Sequence, residues 1–87
     1  MKLNNSMNSK ITAAEETFCM YKLGREGSFM TSLIDTIFKG DIHNQAKLGK
    51  GYPELVEVIR RYGIERGYWE DLVNRWNEEY PTLKLYR

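Results

Sequence analysis

Gly49-Lys50-Gly51, inside the stretch KLGKGYPELV, sets a lysine between two glycines, the composition of a loop that cradles phosphate. A phosphate loop of that kind needs a glycine six residues before the lysine and a Ser or Thr directly after it. Backbone amides then hold the phosphate while the hydroxyl holds magnesium. Position 44 is Asn, position 51 is Gly, and no strand signal precedes the loop. The glycines read instead as helix punctuation: they permit the left-handed backbone that ends one helix, and Pro53 suits the first turn of the next. The single cysteine, Cys19, and the single histidine, His43, could with Asp35 or Asp41 make a thiol nucleophile with an oriented base. The plainer reading is a small buried Cys on the first helix and a solvent-facing His on the third. Together they fall short of the four ligands of a structural zinc, so no metal or cofactor is expected.

The adjacent carboxylates Glu15-Glu16, Glu70-Asp71 and Glu78-Glu79 offer acid/base pairs only on paper. Neighbours on a helix diverge by about 100° and cannot readily share a substrate. A hydrolytic pair also needs one carboxyl held in an apolar pocket. All three pairs read as solvated charge, and the chain is expected not to be an enzyme.

Binding chemistry is better represented. Lys47, Lys50, Arg60, Arg61 and Arg66, interleaved with Tyr52, Tyr62 and Tyr68, could contact phosphates and stack bases. Glu54, Glu57 and Glu65 lie among them and would neutralise much of that field. The chain also holds three Phe, two Trp and six Tyr. That is a large aromatic load for one modest core, so some rings should reach the surface. Exposed aromatics and arginines are favoured at the energetic centres of protein interfaces. Tyr52, Arg60, Arg61, Tyr68 and Trp69 are therefore the expected partner-binding residues.

A chain of 87 residues makes one domain. Its net charge of +1 is too small for strong non-specific attraction to nucleic acid or anionic lipid. One Cys and four Met fit a reducing, cytoplasmic setting. The opening MKLNNSMNSK lacks the apolar run of a secretory signal, and nowhere do apolar residues continue long enough to span a membrane.

Residues 1–10 read as a flexible lead-in, and 11–87 as a single helical domain with a short C-terminal tail. Thr12 with Glu15 forms a capping box opening a helix to about Leu23, with Ile11, Ala14, Phe18 and Tyr21 inward. Ser28 to Gly40 bounds a second helix whose broad apolar face, Phe29 and Phe38 included, suggests the central element. Asp41 caps a short third helix ending at Gly49. Pro53 starts a fourth that Gly63 closes, with Glu57 and Arg61 paired on its outer face. Trp69, Leu72, Val73, Trp76 and Tyr80 form the narrow stripe of a fifth, which stops before Pro81. The tail TLKLYR is a docked segment or at most an edge strand. The fold class is all-α, a bundle of four to five short helices.

The succession from Phe29 to Leu72 contains Asp41 with Asn44, the step Lys47-Leu48, the helix start Tyr52-Pro53-Glu54 and the pair Tyr68-Trp69. In this it resembles small helical proteins encoded by phages and mobile elements of Bacteroidota-like bacteria. The resemblance carries no catalytic residue. It implies a context in which small proteins bind and redirect host machinery, anti-defence and anti-CRISPR proteins among them. The expected function is accordingly a non-catalytic interaction protein that inhibits or regulates a larger host protein or ribonucleoprotein. The alternative is an RNA- or DNA-binding accessory protein using the Lys/Arg-Tyr surface. The stripe on the fifth helix could serve its own domain or a second copy, and a monomer is favoured over a homodimer.

Overall fold

The structure, a computed structural model, describes residues 10–40 and 42–86, without the side chains of 42–46. The described residues form five helices and no strand: α1 (Ala13–Lys22), α2 (Ser28–Lys39), α3 (Ile42–Gly51), α4 (Pro53–Ile64) and α5 (Tyr68–Glu79). The fold is all-α, and no helix among the described residues is long and apolar enough to cross a membrane. Of the lead-in expected over residues 1–10, residues 1–9 lie outside the described residues, as does the cap expected at Asp41. Lys10 belongs to the fold, since its ammonium pairs with Glu78 at 3.2 Å and its carbonyl accepts from Arg75 at 2.6 Å.

α1 starts as its sequence dictates. The Thr12 hydroxyl accepts from the Glu15 amide at 3.1 Å, and the Glu15 carboxylate accepts from the Thr12 amide at 3.0 Å, so two orphan donors of the first turn are satisfied reciprocally. Thr12→Ala should cost about 1 kcal/mol, read as a lower midpoint in thermal unfolding followed by circular dichroism. At its other end Gly24 takes φ +71°, the left-handed conformation that turns the chain toward α2. α2 begins at Ser28 itself, with Gly27 as its N-cap and no side-chain cap.

Two stops differ from expectation. Gly49-Lys50-Gly51 is helical: the Tyr52 amide donates to the Leu48 carbonyl at 2.9 Å, and neither glycine has a positive φ. The break falls at Tyr52, with φ −137° and ψ 60°. The ring of Pro53 clashes with a helical residue before it and forces Tyr52 out of the α region. The Tyr52 carbonyl then accepts from Val56 at 3.0 Å and opens α4. Gly63 likewise lies inside α4 rather than closing it. The last turn runs on to Ile64, held by the Glu65 amide on the Arg61 carbonyl at 2.8 Å, and the reversal comes at Gly67, φ +85°.

The central element is α4, not α2, because α4 packs against each of the other four helices. Its buried Leu55, Val58 and Ile59 meet Phe18 and Cys19 of α1, Leu33, Ile34 and Ile37 of α2, and Leu72, Val73 and Trp76 of α5 in one core. Of the broad face read on α2, Phe29 and Phe38 stay exposed, and only Leu33, Ile34 and Ile37 are buried. The C-terminal tail is docked. The Trp76 indole donates to the Leu83 carbonyl at 2.7 Å, and Asn77 exchanges two hydrogen bonds with the Leu85 backbone at 2.8 and 2.9 Å, seating Leu85 in the core.

Candidate functional site

The expected partner-binding set is divided by the fold. Tyr68 was placed on the surface and is instead 3% exposed. It opens α5 four residues before Leu72 and eight before Trp76, so all three share the inward face. Its hydroxyl donates to Glu15 Oε2 at 2.6 Å. Glu15, read as solvated, is likewise buried, because it stands on α1 between Ile11 and Cys19, both core residues. Arg75 donates to both Glu15 oxygens at 3.0 and 3.2 Å, and to Asp71 at 2.8 Å. Burial pushes the Glu15 carboxyl up, while the bonds from Arg75, Tyr68 and the Thr12 amide push it down and prevail. Burial and the bond to Glu15 raise the Tyr68 phenol, so both groups are locked in one protonation state at neutral pH. This cluster joins α1 to α5 and is a structural clamp.

Tyr52 and Arg61 both line a groove of about 720 Å³ between the N-terminal half of α1 and α4. Ala13, Ala14, Met30, Pro53, Leu55 and Val58 give it an apolar lining, and Thr12, Glu15, Thr17, Tyr52, Glu54, Glu57 and Arg61 supply its polar groups. The Arg61 guanidinium lies 4.1 Å from the Tyr68 ring centroid and is held by Glu65 at 2.6 and 2.9 Å. That charge-assisted pair raises the guanidinium further and fixes its position. Arg60 pairs with Glu57 at 2.6 Å, so the expected Glu57–Arg61 pair is replaced by Glu57–Arg60 and Arg61–Glu65. The groove is of the size that binding clefts have, 300 to 1,000 Å³ roughly, though it is an open one.

Trp69 belongs to a different surface. Its ring stands edge-on to Tyr62 at 5.3 Å, and Tyr62 stands edge-on to Phe38 at 6.0 Å. Phe18, fully buried, sits beneath and touches Tyr21, Phe38, Tyr62 and Trp69 at 5.1 to 6.2 Å. Lys22 lies over the Tyr62 and Trp69 rings at 4.9 and 5.5 Å and donates to the Tyr62 hydroxyl at 3.1 Å. Tyr21 donates to Asp35 at 2.6 Å, and that bond, with burial, pushes its phenol up to about 12. Sequence reasoning missed Lys22 and Phe38 as surface groups and offered Tyr62 only as a ring interleaved with the basic residues. Their spacing follows no rule, and only the meeting of the C-terminal ends of α1, α2 and α4 with the start of α5 brings them together.

The five cations expected to form one basic patch are dispersed. Lys47 shares a cleft with Lys39 and Gly40, Arg61 lines the groove, and Arg66 lines a third cleft with Tyr62 and Trp69. Lys50 is exposed on α3, and Arg60 is exposed and neutralised by Glu57. Cys19 is fully buried, and burial followed by the nearby Glu15 charge pushes its thiol up to about 12. A thiol so protonated is a poor nucleophile. Asp35, the acid once considered for it, is engaged by Tyr21, while Asp41 and the His43 side chain lie outside the described residues. Among the described residues no group of three His, Cys, Asp or Glu is arranged to hold a metal ion. Comparison with protein-family models, with curated proteins and with solved structures gave no match.

Proposed function

We propose that the protein is a non-catalytic interaction module of phage or mobile-element type. In this reading it inhibits or regulates a larger host protein or ribonucleoprotein by binding it, in the manner of anti-defence and anti-CRISPR proteins. The observation that carries the reading is the open apolar groove between α1 and α4, whose lining includes Tyr52 and an arginine held in position by Glu65. An aromatic and an arginine over an apolar cleft are the side chains that concentrate binding energy at protein interfaces. The resemblance of Tyr52-Pro53-Glu54 and its flanking motifs to small phage proteins supplies the context. Arg60, exposed on the same helix, extends the surface, and Trp69 lies outside it.

The test is capture of tagged protein with its partners from host lysate, with and without nuclease. A partner retained after nuclease by the native chain, and lost from the double variant Arg60→Glu, Arg61→Glu with helical circular dichroism intact, is the expected result. Undiminished capture by that variant removes the groove's rim from the interface.

A further inference from the structure

Gly24 and Gly67 are explained by their backbone, since both take positive φ where the chain reverses after α1 and α4. Gly49 and Gly51 are not. Both lie in the last turn of α3 without a positive φ, and a Cβ at either would meet nothing within 4 Å. Alanine therefore fits both sites, and each glycine weakens the helical form about two- to fivefold relative to it. Little else holds this turn. Leu48 packs against the core, but residues 50–54 are exposed. No side-chain hydrogen bond or ion pair joins Lys50 or Tyr52 to another described residue, and the final backbone bond is the Tyr52 amide on the Leu48 carbonyl at 2.9 Å. The last turn of α4 also holds a glycine, Gly63, yet the Arg61–Glu65 ion pair straps it and the Glu65 amide closes it on the Arg61 carbonyl.

We infer that the last turn of α3 is a hinge that opens to a second form, in which the helix ends at Leu48, Gly49 turns left-handed and Tyr52 leaves the groove. Just past a helix end is where a left-handed glycine is favoured, because the turn it makes satisfies the orphan carbonyls. The motion is bounded on both sides, since Leu48 and Leu55 are held by the core. Between them, residues 49–52 rise about 1.5 Å each as helix and reach about 3.3 Å each when extended, a slack of roughly 7 Å over four residues. Gly51 and Tyr52 line the groove at this end, so opening removes one wall while α1 and the body of α4 stay in place. The closed form presents the whole lining, and the hinge regulates access to it. That consequence rests on the groove being the partner site; the hinge itself does not.

Amide hydrogen exchange of the full chain, read residue by residue by NMR and corrected for intrinsic rates, tests it. Opening frees the Tyr52 amide, whereas the Ile59 amide in the middle of α4 reports global unfolding. In the native chain Tyr52 should exchange at least about tenfold faster than Ile59. Relative to Ile59, Gly49→Ala should slow Tyr52 about five- to thirtyfold, because the open form then places a Cβ in the left-handed region. Gly49→Asn, which tolerates that conformation, should slow it less. Gly51→Ala and Gly63→Ala should each leave the Tyr52 to Ile59 ratio within about twofold, since neither position turns left-handed on opening. Equal exchange of Tyr52 and Ile59 in the native chain overturns the inference. So does equal slowing by Gly49→Ala and Gly51→Ala, the mark of plain fraying at a helix end. Capture of the host partner by Gly49→Ala should be at least as strong as by the native chain, and weaker capture overturns the assignment of the closed form as the binding one. The expected exchange pattern together with capture indifferent to Arg60 and Arg61 upholds the hinge and sinks the proposed function alone.

Discussion

Phe18→Ala should remove about 3–5 kcal/mol of stability and lower the urea midpoint of unfolding sharply. The side chain is fully buried and is the one ring that touches Tyr21, Phe38, Tyr62 and Trp69 together. Truncating a buried Phe to Ala costs about 3–5 kcal/mol, the transfer of the ring plus the cavity it leaves. A chain of this length has a total stability of roughly 4–13 kcal/mol, at about 0.05–0.15 kcal/mol per residue. The loss is therefore a large share of the whole. Phe18→Leu separates packing volume from ring geometry: most of the volume returns, while edge-to-face contacts worth about 0.5–1.5 kcal/mol each do not. Urea unfolding should place Phe18→Leu between native and Phe18→Ala. Equal stability of Phe18→Leu and native would show that the rings need no aromatic support from below.

What the sequence revealed and what it hid divide along local and long-range lines. The α1 capping box, the stop at Gly24, the start at Pro53 and the stripe of α5 are each decided within a few residues, and all are present. The glycine stops at 49 and 63 were misplaced because glycine permits a left-handed turn without requiring one. Tyr52 breaks the helix because the proline after it leaves no alternative. Tyr68 and Glu15 were misplaced for a different reason. Their partners lie 53 and 60 residues away in Glu15–Tyr68 and Glu15–Arg75, and polarity alone assigns such groups to solvent. Tyr68 was nevertheless legible: it stands one turn before Leu72 and two before Trp76, the same periodicity that identified the stripe. The division of the expected interface into a groove and a ring cluster required the packing of four helices, which no local pattern encodes.

Removing Arg75 should destabilise the fold more than any other change to a partly exposed side chain described here. Glu15 is 4% exposed and carries a charge whose principal counter-ion is Arg75, itself about three-quarters covered. Taking away one partner of a buried pair leaves the other desolvated and uncompensated. Tyr68 and the Thr12 amide still donate to Glu15, which limits the cost to about 2–3 kcal/mol, a fall of roughly 10–20 °C in Tm. Glu15→Gln should cost less than Arg75→Ala, because the amide oxygen still accepts a hydrogen bond and no charge is stranded. The sign of the pH dependence follows from the lowered carboxyl of Glu15, in which burial acts upward and is outweighed by bonds from Arg75, Tyr68 and Thr12. Its contribution to stability is complete above the ordinary glutamate value of 4.5 and is lost as pH falls through the lower folded value. Thermal unfolding from pH 7 down to pH 3 should therefore show the native chain losing more stability than Glu15→Gln. Parallel curves for the two proteins would mean that the clamp's charge contributes nothing and that α1 is held to α5 by its apolar face alone.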